Sequence, residues 1–252
     1  MSNISSQERG AAITIQNVNG LALLWQRILQ TDPQTLFGMG ADRLQNRGWG
    51  DRIAQPGYVG REYEPGGLVF VSMNPGGGRE KDEANAEDRR QYAVLTRLRD
   101  ADANSVVPIF YKLSAVLSDI MPTWKIHRNF VVPVLKSAGV SFQRVAYLNL
   151  LKWRTESSSG LNQLYDISWQ DHVREQIELL TPSTVIAIGS DAGNAFRRHH
   201  QKTIHFDAIP RVIGNNVGTP GREALARIDG WLRDHPMTTG RDRHPNGTNV
   251  DK

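Results

Sequence analysis

The sequence contains no cysteine. This absence excludes disulfide scaffolds, cysteine-ligated zinc sites, thiol nucleophiles and iron–sulfur clusters held by cysteine. A chain of 252 residues is nevertheless long enough to bury a hydrophobic core without disulfide bonds. Because a lack of cysteine fits a reducing compartment, we expect a cytoplasmic protein.

Long apolar runs are also missing. No run approaches the roughly 18 residues that a membrane span requires, and residues 1–10 lack the apolar core of a signal peptide. We therefore expect no membrane association. Residues 1–17 and 236–252 are predicted to be disordered, which leaves one domain over 18–235.

Acidic residues are scarce in two parts of the chain, although the net charge is only +4. Between Asp119 and Glu156 every charged side chain is basic: Lys125, Arg128, Lys136, Arg144, Lys152 and Arg154. A second zone sets five basic residues against the single acid Asp207: Arg197, Arg198, Lys202, Arg211 and Arg222. These zones favour a polyanionic partner such as nucleic acid, and an unevenly charged solvated surface is the alternative.

Apolar runs that end abruptly predict four buried strands, at 68–73, 144–150, 184–189 and 209–214. Helical periodicity and stop signals predict helices between them, at 19–30, 88–98, 106–120, 128–137, 169–180, 191–199 and 223–233. Segment 38–67 is rich in glycine and is predicted to be a loop. This alternation indicates the α/β class, with a short and mostly parallel four-stranded sheet.

Unusual residues follow each predicted strand: Asn74, Asn149, Gly189–Ser190 and Asn215–Asn216. In parallel sheets, ligands bind beyond the carboxyl ends of the strands. In the turn "MNPGGG" (73–78), the glycines allow a ligand to approach the backbone closely, and the Asn74 amide can hold a water molecule. A simple surface turn is the alternative for this motif.

Three segments carry a resemblance to a known family. The segment "VFVSMNPGGGRE" (69–80) resembles the first active-site motif of the uracil-DNA glycosylase superfamily, closest to its single-strand-selective and mismatch-specific branches. The segment "VAYLNLLKWR" (145–154) is similar to the strand that ends in a base-reading Asn, and "VIAIGSDAGNAF" (185–196) resembles the next strand and helix. The motifs occur in the family's order over roughly residues 66–232. The resemblance implies a three-layer α/β/α sandwich.

The resemblance also implies roles for individual residues. Asn74 would position the attacking water, and Asn149 would read the flipped base through its amide, which can pair with both a carbonyl and an N–H. Met73, Pro75 and Gly76 would line the base pocket beside them.

The sequence departs from the family pattern at two places. The second catalytic motif, His-Pro-Ser or Asn-Pro-Ser, is replaced by "IGNNVGTPG" (213–221), where Asn215 or Asn216 is the candidate donor to the leaving base. The stacking aromatic beyond the first motif is also missing. Tyr92 is its displaced candidate, with Tyr147, Trp153 and Trp124 as alternatives.

The function implied by the resemblance is a monofunctional DNA glycosylase without metal or other cofactor, acting as a monomer on DNA. Its substrate would be uracil or another deaminated base in repair, or a bulkier modified pyrimidine of phage DNA in antiviral defence. A non-catalytic nucleic-acid-binding domain with the same fold is the alternative. Five basic residues are the candidate phosphate contacts: Lys152, Arg154, Arg197, Arg198 and Arg211.

Overall fold

A computed structural model describes residues 6–44, 53–75, 86–155, 160–199, 203–212 and 215–237, except the side chains of 6–17 and 86–88. Strands alternate with helices along the chain. The α/β class predicted from the sequence is therefore confirmed.

The sheet has five strands: β1 Gly57–Val59, β2 Leu68–Ser72, β3 Val145–Asn149, β4 Thr184–Ile188 and β5 His205–Ile209. Their order across the sheet is β1-β3-β2-β4-β5. The strands β3, β2, β4 and β5 are mutually parallel, and β1 pairs antiparallel with β3. Every residue of β2, β3 and β4 is buried, as expected for strands covered on both faces.

The prediction of four strands was wrong because it missed β1, which lies in the segment predicted to be a loop. This strand has only three residues and is followed by Gly60, so its pattern is too short to recognise. Tyr58 and Val59 are nevertheless buried. The Ser114 hydroxyl donates a hydrogen bond to the Val59 carbonyl at 2.5 Å, which ties β1 to the helix beneath it.

The fourth parallel strand was predicted at 209–214 but lies at His205–Ile209. Pro210 has no N–H for the ladder, and Val212 is half exposed. The strand lies at the edge of the sheet, and four of its five residues are only partly buried. It therefore tolerates polar residues such as Asp207 and lacks the continuous apolar run that marks the central strands.

The helices are α1 Ser6–Gln30, α2 Pro33–Phe37, α3 Ala86–Arg99, α4 Val106–Ile120, α5 Val132–Ala138, α6 Asn162–Ser168, α7 Arg174–Leu180, α8 Ser190–His199 and α9 Thr219–Asp234. Single π-helical turns at His127–Val131 and Trp169–Val173 precede α5 and α7. The predicted helical segments are confirmed, including the stop at Gly139, which has a φ of 64°. The differences are that α1 begins at Ser6 rather than at residue 19, that α9 begins at Thr219 rather than at residue 223, and that α2 and α6 were not predicted.

The helices pack around the sheet with a strongly apolar interior. Helix α1 contacts α3, α4 and α7, whereas α8 packs on β4 and β5, and α9 on β5 and α5. Trp25 of α1 meets Phe110 of α4 edge to face, with ring centroids 4.7 Å apart. This packing holds the parallel strands in place and so fixes the loops at their carboxyl ends. In the described part of the chain, no helix combines the length and the apolarity that crossing a bilayer demands.

Two buried histidines should make the fold sensitive to acid. His127 and His172 are 4% and 3% exposed, and their ring nitrogens have no hydrogen-bond partner among the described residues. Burial lowers the pKa of each to about 4 from 6.5. The unfolded chain therefore binds protons that the folded chain does not, and stability is lost as the pH falls from 6.5 towards 4.

We predict that the variants His127→Phe and His172→Phe each lose part of this acid sensitivity. The full effect is about 3 kcal/mol per histidine, because the pKa falls from 6.5 in the unfolded chain to about 4 in the folded chain. Urea unfolding at pH 7 and pH 4.5 measures the difference, with the exposed His235→Gln as the control. If both Phe variants lose as much stability between the two pH values as the wild type does, the prediction is wrong.

Candidate functional site

The carboxyl ends of the parallel strands meet at one edge of the sheet, as the sequence predicts. Ser72 at the end of β2 is in register with Asn149 of β3 and with Ile188 of β4. The pairing of β2 and β3 continues past the strands, because the Leu150 and Leu151 amides donate to the Ser72 and Met73 carbonyls, each at 2.8 Å. The loops that carry Asn74 and Asn149 therefore emerge side by side. We call this place the carboxyl edge.

Asn149 lies at the centre of the carboxyl edge and is 7% exposed. Its Oδ1 accepts a hydrogen bond from the Ser72 hydroxyl at 2.7 Å, and its Nδ2 donates to the Gln55 carbonyl at 3.4 Å. A primary amide has two acceptor lone pairs and two N–H donors. Among the described residues, one acceptor and one donor position of Asn149 thus remain after these two bonds, which is the pair that reading a pyrimidine edge requires.

Gln55 connects Asn149 to an aromatic side chain. Its Nε2 donates to the Tyr92 hydroxyl at 2.9 Å, and its Oε1 accepts from Gln91 at 3.4 Å. The Arg154 guanidinium carbon lies 5.9 Å from the centre of the Tyr92 ring. The displaced aromatic candidate therefore lies near the carboxyl edge, within a network that also reaches the base-reading candidate. Of the alternatives, Tyr147 and Trp153 are 5% and 1% exposed and belong to the core.

The structure corrects the prediction made for Lys152. The sequence predicts a phosphate contact, but the side chain is fully buried. Its Nζ donates to the Asn149 carbonyl at 2.5 Å and to Gln176 Oε1, while Gln176 Nε2 donates to the Pro56 carbonyl at 3.1 Å. Burial holds the pKa of Lys152 well below its usual value. The lysine therefore acts as an internal hydrogen-bond donor that fixes the backbone at Asn149, and it cannot reach a phosphate.

Asn74 is half-buried in the turn after β2. Its Nδ2 donates to Thr155 Oγ1 at 3.1 Å and, more weakly, to the Pro75 carbonyl at 3.4 Å. These bonds fix the orientation of the amide. They leave Oδ1, within the described part of the chain, as an acceptor with no protein donor. An oxygen held in this way can orient a water molecule through one of its protons.

Arg211 approaches the carboxyl edge from the other side. A Cβ at Gly189, where φ is 102°, would lie 3.4 Å from Arg211 Nε and 3.7 Å from Met73 Sδ, so the arginine side chain crosses the end of β4. Burial raises the pKa of Tyr147 to about 12, and a hydrogen bond with Ser72 and the charge of Arg211 oppose this shift. The guanidinium is therefore close enough to Tyr147 of β3 for its charge to act on that hydroxyl.

Asn215 is bound to this arginine. Arg211 Nη1 donates to Asn215 Oδ1 at 2.5 Å, and Asn129 Nδ2 donates to the Asn215 carbonyl at 2.8 Å. Asn215 has a φ of 57°, a left-handed conformation that Asn tolerates better than most residues. By contrast, Asn216 is exposed, and its carbonyl bonds to the Val212 amide. Of the two candidates, Asn215 is the one joined to the carboxyl edge.

The remaining basic candidates divide into two groups. Arg154 lies beside the carboxyl edge, next to Tyr92. Arg197 and Arg198 lie in the last turn of α8, which begins at the edge and runs about 10 Å away from it before reaching them. Arg198 is paired with Asp166 at 2.8 Å, and Arg197 lies 5.7 Å from the centre of the Phe206 ring. The structure does not bring these two arginines to the edge.

Some participants in the site carry no signal in the sequence. Gln55 is hydrogen-bonded to Asn149, which lies 94 residues away in the sequence, and Gln176 is hydrogen-bonded to Lys152, which lies 24 residues away. The π-helical turn that presents Asn129 could not be foreseen either, although such turns are frequent at functional sites. Ser72 was detectable in principle, because a polar residue ends an otherwise apolar strand. Gly76, a predicted pocket residue, lies outside the described residues.

Other kinds of site receive less support. No cluster of three or more His, Asp or Glu side chains suited to a metal occurs in the described ranges. A cleft lined by Gly67, Leu68 and Arg144 lies at the amino ends of β2 and β3, opposite the carboxyl edge. Its lining includes none of the predicted catalytic, base-binding or phosphate-contacting residues. Comparison of the chain with models of known protein families and with curated proteins finds no match.

The internal position of Lys152 gives a testable pH dependence. The usual pKa of lysine is 10.5, whereas burial lowers that of Lys152. The unfolded chain thus binds a proton that the folded chain lacks, so this lysine makes the wild type lose stability as the pH falls below 10.5. We predict that Lys152→Met removes this dependence, whose slope for one proton is at most about 1.4 kcal/mol per pH unit.

Urea unfolding at pH 8, 9 and 10 measures this slope. The exposed Lys112→Met is the matched control, and its curve should run parallel to that of the wild type. The assignment of Lys152 as an uncharged internal donor fails if Lys152→Met also follows the wild-type slope.

Proposed function

We propose that this chain is a monofunctional DNA glycosylase with the fold of the uracil-DNA glycosylase superfamily. The single observation that carries the proposal is the meeting of Asn74 and Asn149 at adjacent ends of parallel strands, each with amide positions left for a ligand. The sequence motifs that resemble the superfamily fall on these two strand ends. The charge of Arg211 and the ring of Tyr92 lie around them.

The topology supports the same proposal. Counted along the chain, the four parallel strands lie in the order second, first, third, fourth. The connections from β2 to β3 and from β4 to β5 run in opposite directions across the sheet. Right-handed crossovers then place their helices on opposite faces, which gives a three-layer sandwich. The carboxyl edge becomes the place where the connections diverge, and ligands of open α/β sheets bind at such places.

The proposed reaction is hydrolysis of an N-glycosidic bond in DNA. The target base leaves the stack and enters the carboxyl edge, where the Asn149 amide pairs with one carbonyl and one N–H of a pyrimidine. Asn74 Oδ1 holds the water that attacks C1′ of the sugar. An amide is a weak base, so Asn74 orients the water without taking its proton, and the rate must come chiefly from stabilising the departing base.

Two substrate classes fit this description. One is uracil or another deaminated base, and the other is a bulkier modified pyrimidine of phage DNA. Tyr92 reaches the network through Gln55 rather than from the first motif, and this displacement supports the larger class. The wide occurrence of uracil repair supports the smaller class. The activity panel below separates them.

A non-catalytic nucleic-acid-binding domain is the second candidate function. The observation that favours it is the internal pairing of the Asn149 amide with Ser72 and with Gln55. In that case the network would be structural, and the basic residues would bind DNA without chemistry. Such a protein would bind DNA with a strong dependence on salt and would release no base.

We predict that Asn74→Ala lowers the rate of base release by about 10²-fold, because the attacking water loses its orienting acceptor. The measurement is single-turnover release from DNA containing uracil, hypoxanthine, 5-hydroxymethyluracil or phage-type modified cytosines, with alkali to reveal abasic sites. Asn104→Ala, at an exposed turn before α4, is the control. If the wild type binds DNA but gives no abasic product on any substrate, the glycosylase proposal is wrong and the non-catalytic nucleic-acid-binding domain takes its place.

A further inference from the structure

We propose that Arg211 is the catalytic residue that stabilises the departing pyrimidine base as its anion. This inference rests on the proposed function. The loop after β5 places the Arg211 side chain at the carboxyl edge, over Gly189 at the end of β4.

The position of Arg211 distinguishes it from a surface phosphate contact. Its side chain crosses the end of β4 over Gly189, where a Cβ would lie 3.4 Å from Arg211 Nε and 3.7 Å from the sulfur of Met73, the residue before Asn74. Its charge acts on two buried hydroxyls: burial raises the pKa of both Tyr147 and Tyr165, and Arg211 opposes the increase. Arginines that serve only phosphates need no such inward approach.

The guanidinium is held in place but keeps donors for a ligand. It has five N–H donors, and Nη1 bonds to Asn215 Oδ1. Among the described residues it forms no ion pair with a carboxylate. Asn129 fixes Asn215 through its carbonyl, so the arginine is oriented by a loop that is itself anchored to the π-helical turn. A permanently charged, pre-oriented donor of this kind is suited to stabilising developing negative charge.

The chemical step balances without another reactant. The bond between C1′ and N1 of the pyrimidine breaks, and its electron pair remains on the base, where the O2 and O4 carbonyls share the negative charge. Water adds to C1′ and gives one proton to solvent, and the base anion takes up a proton after release. Arg211 donates to a carbonyl oxygen of the base while the charge develops, and Asn149 holds the opposite side of the ring.

The test compares leaving groups of different quality. Single-turnover rates at saturating protein are measured on DNA containing uracil, 5-hydroxymethyluracil or 5-fluorouracil, for the wild type, Arg211→Gln and Arg211→Lys. Fluorine stabilises the base anion and so reduces its need for the arginine. The proposal predicts that Arg211→Gln loses about 10²-fold to 10³-fold on uracil and at least tenfold less on 5-fluorouracil. Arg211→Lys, which keeps the charge, should lose less than Arg211→Gln on uracil.

The matched control is Arg233→Gln, an exposed arginine in the last turn of α9, at the end of that helix remote from the carboxyl edge. It should leave the release rates of all three bases unchanged. An equal loss on uracil and 5-fluorouracil by Arg211→Gln, or an effect on affinity alone, overturns the role of Arg211 and leaves the glycosylase intact. If the wild type releases only modified cytosines, this inference is wrong but the proposed glycosylase function stands. A wild type that releases no base from any DNA overturns the proposed function as well.

Discussion

The parallel pairing of β2 with β3 is the constraint on which the rest of the site depends. It sets Ser72 opposite Asn149, and the backbone bonds from Leu150 and Leu151 extend the pairing two residues beyond the strands. A slip of one residue would turn both polar side chains to the other face. The continuous burial of β2 and β3 makes such a slip costly. The core thus fixes the positions of the Asn74 and Asn149 amides.

Polar groups at the carboxyl edge are held by other buried polar groups. Lys152 supports the Asn149 backbone, Gln176 accepts from that lysine, and Gln55 joins the network to Tyr92. Each buried donor or acceptor left without a partner would cost about 1–3 kcal/mol. An apolar interior would be simpler and at least as stable. The presence of a lysine and two glutamines beneath this edge is explained if their purpose is to hold the Asn149 amide in one orientation.

The central strands and most helices could be predicted because their signals are local. The runs at 68–73, 144–150 and 184–189 are apolar from end to end, as strands buried on both faces must be. The edge strands were harder to predict. Strand β1 was missed because it has only three residues, and β5 was placed too late in the chain because its sequence is half-exposed and partly polar.

The candidate site divides in the same way. Asn74 and Asn149 follow strands that could be recognised, so their meeting could be predicted. The burial of Lys152 could not, because its partner Gln176 lies on α7 and only the folded chain brings the two together. The same holds for Arg211, whose approach to Gly189 depends on the path of a loop. Residue type and charge indicated a phosphate contact in both cases, whereas contacts across the fold bury Lys152 and place Arg211 beside Gly189.

The central claim is that the carboxyl edge receives a flipped base, and the side-chain amide signals of asparagine report on it directly. Protein labelled with ¹⁵N-asparagine would be titrated with DNA carrying 2′-fluoroarabino-uridine, which resists hydrolysis, and the signals of Asn74 and Asn149 would be assigned from single variants. Both signals should shift on binding this DNA and stay in place with unmodified DNA. Binding of this DNA that leaves both signals unmoved would contradict the proposal that the base enters the carboxyl edge.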